Sequence, residues 1–246
     1  MNNGIKVSVC LASYNGHMFV HDQIASILNQ LDVNDELIIG DDASTDNTLE
    51  IVRCFKDNRI IINDLKINVG HVKNFELLLK IATGDIIFLS DQDDIWAPGK
   101  VESVRRAFLE NPDITLVHHA LATIDSKNRL ISDKWSKLGE GRQHTLLFLM
   151  RQLIKAELFG CAIAFKKSIV TSILPFPDLV YAHDHWLGIV ASLNGGVYFI
   201  DNVLIQYRLH DSNLSPRDGF NLRRIIRSRL KLLGIIAIAL VRKYFS

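Results

Sequence analysis

The chain has little that is cross-linked, one-signed or long and apolar. Of its 246 residues only three are cysteine. Cys10, Cys54 and Cys161 stand singly in apolar surroundings with no Cys-x-x-Cys. That excludes a disulfide framework and makes a reducing compartment the simpler reading. Lys+Arg number 28 against 27 Asp+Glu, a formal charge of +1, so no global field argues for nucleic acid. The tail's apolar stretch, Leu232 to Val241, is ten residues, far below the ~20 that span a bilayer. No Gly-x-Gly-x-x-Gly follows the first strand, which argues against a dinucleotide oxidoreductase. The start runs straight into Lys6-Val7-Ser8-Val9-Cys10-Leu11-Ala12 without an apolar leader and small-residue cleavage site, so a cytoplasmic protein is expected. What is present is an ordinary globular composition, 48% hydrophobic and 22% charged, enough to bury a core in one domain of two lobes.

The first half alternates strand and helix. Lys6–Ala12, Glu36–Gly40, Arg59–Ile62, Asp85–Leu89 and Ile114–Val117 are short β-branched runs, spaced as βαβ units require. Between them Val20, Ile24, Ile27, Leu28 and Leu31, then Val72, Phe75, Leu78 and Leu79, then Val101, Val104 and Phe108, recur at helical period. Pro112 disfavours helix at Asn111 and closes the third of these. The expectation is an α/β fold, with a mostly parallel, Rossmann-like sheet flanked by helices. In the second half Ser126–Arg142 reads as a long loop, Gly160–Phe165 and Val203–Tyr207 as strands, and Asp184–Leu193 as a helix.

From Gly219 to Ser246 there are seven basic residues (Arg223, Arg224, Arg227, Arg229, Lys231, Arg242, Lys243) and no acidic one. Two readings stay open for this basic amphipathic tail: a helix lying on an anionic membrane surface, or a solvated C-terminal helix.

Parallel sheets bind ligands beyond the carboxyl ends of their strands, and three strand ends here are polar. Ser13-Tyr14-Asn15-Gly16 ends the first, Asp41-Asp42-Ala43-Ser44-Thr45-Asp46 the second, and Ser90-Asp91-Gln92-Asp93-Asp94 the fourth. Alternate carboxylates at the mouth of a buried strand repel one another unless they share a cation, and oxygen ligands suit Mg²⁺ or Mn²⁺ with a phosphate. The blander reading is an Asx-rich turn, with Asp94 capping the next segment. Asp46 or Thr45 is expected to cap the helix containing Leu49 and Val52. Asp42 is not needed for that cap, and a strand-end carboxylate can accept the imide N–H of a pyrimidine. In His183-Asp184-His185-Trp186, Asp184 reads as a cap or a general base and the two histidines as weak candidate metal ligands. Tyr207-Arg208-Leu209-His210 offers Arg208 to a phosphate and His210 to a metal, or is surface polarity.

Together these residues resemble the family-2 glycosyltransferases of the GT-A fold, and within them the bacterial rhamnosyltransferase-like members. The resemblance runs from about Lys6 to Ser215. It is carried by Val7-to-Gly16, Glu36-to-Thr48, Asn68-to-Glu76, Gly84-to-Trp96, Gly160-Cys161, His183-to-Trp186 and Tyr207-to-Asn213, and Ser-Asp-Gln-Asp-Asp-Ile-Trp with His-Asp-His-Trp and Tyr-Arg-x-His is a specific combination. It implies a transferase domain over 1–218, with a nucleotide-sugar-binding half (1–95) and an acceptor half (96–218), and the tail at 219–246. It places Ala12 and Tyr14 around the base, Asn15 on the nucleotide sugar, Asp42 on the pyrimidine N3–H, and Asn68 and Lys73 near base and phosphates. Asp91 and Gln92 fall on the donor sugar nucleotide, Asp93 and His210 on the metal, and Asp184 as base. The implied activity is inverting and uses Mg²⁺ or Mn²⁺. The donor would be dTDP-L-rhamnose, or a UDP-hexose, and the acceptor a cell-surface or lipid-linked glycan. A non-catalytic nucleotide-binding scaffold is the competing class. Ala43 departs from the glycine common in relatives, and His118-His119 from their small or acidic residues. No Gln-x-x-Arg-Trp follows Asp184, which argues against a processive synthase.

Overall fold

The fold is seen in a computed structural model that describes residues 4–135, 139–154, 158–211, 213 and 222–245. The alternation in the sequence becomes β1 (Val7–Ser13), α1 (Val20–Leu28), β2 (Glu36–Asp41), α2 (Thr48–Cys54), β3 (Ile60–Asp64), α3 (His71–Ile81) and β4 (Ile86–Asp91). Next along the chain are β5 (Ile95–Trp96), α4 (Lys100–Glu110), β6 (Leu116–Asp125), β7 (Leu130–Trp135), β8 (Gly141–Gln143) and α5 (Thr145–Ile154). Last come β9 (Ile163–Lys166), α6 (Val170–Ile173), α7 (His183–Leu193), β10 (Val197–Leu209) and α8 (Leu222–Phe245). Strands β1, β2 and β4 are buried almost throughout, as strands covered by helices on both faces must be. Successive side chains part to opposite faces. Cys10, Ile38, Ile87 and Leu89 pack with α3 and α7 on one side, Val9, Leu11, Leu37 and Phe88 with α1 and α4 on the other.

The sheet order is β3-β2-β1-β4-β9-β6-β10-β5, with β7 beside β6 and β8 beside β10. Pairing is parallel from β3 to β4 and between β6 and β10. β9 runs antiparallel to both β4 and β6, and β5, β7 and β8 are also antiparallel. The parallel expectation therefore holds in the first half, and the second half is mixed. Register does what the site needs: Ala12 pairs with Gly40 and Asp91, and Ser13 with Asp41. Three polar strand ends thus share one edge.

Two segments depart from expectation. The stretch read as a loop carries β7 and β8, and β7 is an edge strand with exposed side chains on both faces, so no alternation marks it. Helix α5 was not legible, because apolar residues surround it while only Phe148 and Gln152 are buried. Helix α4 stops at Glu110, with Asn111 at φ −128, ψ 76, outside the helical region.

The C-terminal helix is docked. Leu232, Ile235 and Ala239 are buried in the core beside α7. Three of its cations end on carbonyls at the C-termini of other helices, where the helix dipole favours positive charge. Arg229 donates to Gln152 O (3.3 Å) and Ile154 O (2.9 Å), Arg242 to Ile173 O (3.1 Å) and Pro175 O (2.7 Å), and Lys243 to Leu193 O. Among the described residues no helix is long and apolar enough to cross a membrane.

Candidate active site

The loop after β2 is built by its own side chains. Asp41 accepts the Ser44 amide (2.9 Å) and hydroxyl (2.6 Å), which bends the chain and puts Ala43 at φ +60. Asp46 accepts the Thr48 amide at 2.9 Å from the residue before the N-cap, while the N-cap of α2 itself is Asn47 and makes no side-chain cap bond. The expected cap by Asp46 or Thr45 is therefore not formed; Asn15 Oδ1 accepts the Thr45 amide (2.8 Å). Asp42 faces the other way. Its two oxygens accept the amides of Val69 (2.7 Å) and Gly70 (2.8 Å), while the Asn68 amide donates to Asp42 O (3.2 Å). Gly70 at φ +82 supplies the backbone turn that aims both amides at one carboxylate. A carboxylate has about four acceptor sites, so an imide N–H can still join. Lys73 is half exposed and pairs with Glu76 at 2.8 Å.

The first and fourth strand ends are clipped together by Gln92. Its Oε1 accepts the Tyr14 amide (2.8 Å) and its Nε2 donates to Tyr14 O (3.0 Å). Gly16 leaves room for this clip, since a Cβ there would stand 2.1 Å from Gln92 Oε1. Tyr14 is left with its ring exposed beside Ala12.

At the end of β4 the acids divide in role. Asp93 Oδ2 lies 2.7 Å from His210 Nε2. Asp94 is buried and accepts the Arg208 amide at 3.0 Å, so it joins β4 to β10 and caps nothing. Arg208 itself is 1% exposed, donates Nε to Asp93 O (2.6 Å) and lies 4.6 Å over the Phe19 ring. It is no surface group: it is interior and locks the Asp93 backbone. Burial, then the charges of Asp93 and Asp184, push Asp91 above the usual carboxylate range. Asp94 is driven up likewise by burial and by Asp93 and Asp91. This acid surplus, offset only in part by Lys100, fits a divalent cation. Asp93 and His210 have the oxygen and imidazole donors that Mn²⁺ or Mg²⁺ accept, with Asp91 two positions before Asp93 in the chain. Asp91, Asp94 and Cys161 also cluster within 4.8 Å. Burial holds that thiol protonated, and Asp94 is committed to Arg208, so this trio is the poorer set.

Asp184 stands in the first turn of α7. Its charge contributes to raising Asp91, and His71 senses the charges of both Asp184 and Asp42. Asp91 and Asp184 are 93 positions apart in sequence, and the fold brings them close enough for one charge to raise the other; the space they border is the candidate crevice. The flanking histidines serve packing: His183 lies 4.3 Å from the Phe75 ring and burial pushes it down to about 4, and both are nearly buried. His118 and His119 are buried within β6, His118 accepting the Phe159 amide (3.1 Å) and His119 bonding to Ala120 O (2.8 Å). They make no surface for an acceptor.

Sequence reasoning gave no role to two groups. His71, at the start of α3, lies between Asp42 and Asp184; its place directly after Gly70, within the Asn68-to-Glu76 stretch, was the available signal. Lys100 reads as an ordinary helix residue. It is fully buried, donates to Cys161 O (2.8 Å) and sits 4.1 Å from the Trp96 ring, and burial lowers it to about 7. Nothing in the local sequence marks it.

The chain is similar to known proteins. Residues 8–174 match the profile of glycosyl transferase family 2. The dTDP-rhamnosyl transferase RfbG of Shigella flexneri is 30% identical over 244 residues, covering 92% of this chain and 78% of its own. The Escherichia coli UDP-Glc:α-D-GlcNAc-diphosphoundecaprenol β-1,3-glucosyltransferase WfgD is 28% identical, over 89% of this chain and 83% of its own. The chain spans 66% of the length of a Nostoc sp. glycosyltransferase to which it is 25% identical. S. aureus TarS 1-349 in complex with UDP-GlcNAc superposes with a TM-score of 0.73 at 19% identity, over 98% of this chain and 74% of that one, a likeness of fold. The chain has the GT-A fold and belongs to glycosyl transferase family 2, a family of transferase enzymes.

Proposed function

We propose that this protein is an inverting, metal-dependent glycosyltransferase that moves L-rhamnose from dTDP-L-rhamnose to a cell-surface glycan acceptor. One observation carries the reading: Asp184 on α7 acts on Asp91 of β4 while His210 of the β10 end rests 2.7 Å from Asp93. In this assignment Asp42 accepts the N3–H of the pyrimidine, with Ala12 and Tyr14 around the base. Asn15, Asn68, Lys73, Asp91 and Gln92 border the rest of the donor. Asp93 and His210 hold Mg²⁺ or Mn²⁺. Bound by these residues, it would supply positive charge against the departing diphosphate. Asp184 takes the proton of the acceptor hydroxyl. That oxygen bonds to the anomeric carbon as the carbon–oxygen bond to the diphosphate breaks on the opposite face, inverting the centre with no covalent enzyme intermediate.

Rhamnose is preferred because RfbG, similar along most of the chain, is a dTDP-rhamnosyl transferase. A UDP-hexose is the second reading, supported by the UDP-sugar donors of WfgD and TarS. The acceptor is taken to be lipid-linked, as in WfgD. The place of action is taken to be cytoplasmic, at the inner face of the membrane, which fits three unpaired cysteines. The transferase domain is assigned to residues 1–218.

The test is a thermal-shift screen of dTDP- and UDP-sugars with and without Mn²⁺, followed by transfer assays of Asp184→Asn. The preferred donor raises the melting temperature only with metal. Asp184→Asn keeps that shift and loses transfer by about two to four orders of magnitude. Turnover surviving the substitution overturns the assignment of the base, and metal-dependent dTDP binding without transfer in the wild type supports a scaffold instead.

A further inference from the structure

Helix α8 has a second apolar face. While Leu232, Ile235 and Ala239 enter the core, Ile226, Leu230, Leu233, Leu240 and Tyr244 recur at helical spacing on the outside, each between 38% and 68% exposed. Helix α5, whose C-terminal carbonyls hold Arg229, extends this surface with Leu147, Met150 and Ile154, all at least half exposed. Exposed apolar residues scattered singly are ordinary, but a row of them along two packed helices marks a contact face. The chemistry around it narrows what covers it. Neither helix contains a carboxylate, and Arg151, Arg227 and Lys231 stand among the apolar groups. A second copy meeting this face through a two-fold axis would set these cations against themselves. An anionic bilayer satisfies both halves, with headgroups on the cations and the acyl boundary on the apolar stripe. The stripe is about 27 Å long at 1.5 Å per residue, and the opposite face of α8 is fixed in the core, so the helix lies along the surface.

The position of this face matters for the crevice. Lys231 Nζ stands 5.5 Å from the Tyr181 ring centroid, and Leu179 packs against Gly234. The segment leading into Asp184 therefore rests on α8. We propose that α5 and α8 together form a docking surface for an anionic lipid bilayer, which sets the Asp184 side of the crevice at the lipid–water interface. Only the orientation of the crevice rests on the transferase reading; the docking stands without it.

The test is co-sedimentation of the full chain with vesicles of phosphatidylcholine alone and of phosphatidylcholine mixed with phosphatidylglycerol. The protein binds the anionic vesicles, binds neutral ones weakly, and is released by salt. Leu230→Glu with Leu233→Glu lowers anionic binding about tenfold or more and keeps the melting temperature and the donor-induced shift. Arg227→Glu with Lys231→Glu weakens binding to anionic vesicles and leaves binding to neutral ones unchanged. If the leucine pair unfolds the chain, Leu240→Gln with Tyr244→Gln serves in its place. Absence of anionic binding, undiminished binding by these variants, or a wild-type dimer that the leucine pair turns into monomer overturns the proposal. Lost vesicle binding with a retained donor shift removes only this inference. A missing donor shift with retained vesicle binding removes only the transferase reading.

Discussion

A single buried histidine shows how a residue's surroundings set its chemistry. His118 accepts an amide hydrogen bond and stacks 5.5 Å from Phe199, and burial, with the nearby Lys100 charge, pushes it down to about 3. His183 is likewise pushed down to about 4. The folded chain keeps both neutral, and the unfolded chain protonates them near 6.5. Stability tied to them is whole above that value and is lost progressively as the pH falls towards 3 to 4. One unit below 6.5 the loss is about 1.4 kcal/mol for each histidine. Urea unfolding at pH 7.5 and 5.5 measures it. His118→Gln makes the difference smaller, and an unchanged pH dependence in that variant contradicts the assignment. At this scale the sequence supplied residue types but not their environments. Asp93 and Asp94 are adjacent and chemically identical, yet one meets an imidazole and the other a backbone amide from β10. The direction each side chain takes at the end of β4 decides that.

Among elements, the site depends on strand register. Ala12 sits between Gly40 and Asp91 because β1 pairs in parallel with both neighbours. Gly84 protects that register at the other end of β4: a Cβ there would stand 2.4 Å from Ser8 N and 2.7 Å from Val7 C, both backbone atoms that cannot step aside. Gly84→Ala therefore displaces β4 from β1, costs about 1–3 kcal/mol in urea unfolding and weakens metal-dependent donor binding with it. Unchanged stability in that variant means the two strands adjust freely. Helix α8 offers a second contrast on its two faces. Ile235→Ala costs about 2–5 kcal/mol by emptying a core position, while Leu230→Ala stays within about 0.5 kcal/mol. Equal effects from the two contradict the docked orientation of the helix. The strands of the first half were readable because β-branched runs and helical stripes alternate at βαβ spacing. β7 and α5 were not, because an edge strand exposed on both faces and a helix apolar on both faces carry no contrast between inside and outside.

For the whole molecule, one continuous sheet carries both lobes, and β9, antiparallel to both β4 and β6, joins the parallel first half to the mixed second. The basic tail is part of that whole. Its cations cap three other helices and one of its faces completes the core, so removing it exposes apolar surface as well as subtracting charge. The sequence by itself determined the class of fold, the three polar strand ends and the family, since these come from periodicity and short motifs within a few residues of one another. Tertiary structure alone decided that Asp184 comes close enough to act on Asp91, that Arg208 and Lys100 are interior, and that α8 covers the core with one face and leaves another bare. Those are relations between groups tens of positions apart, and they exist only once the chain's non-local packing has chosen which face of each element turns inward.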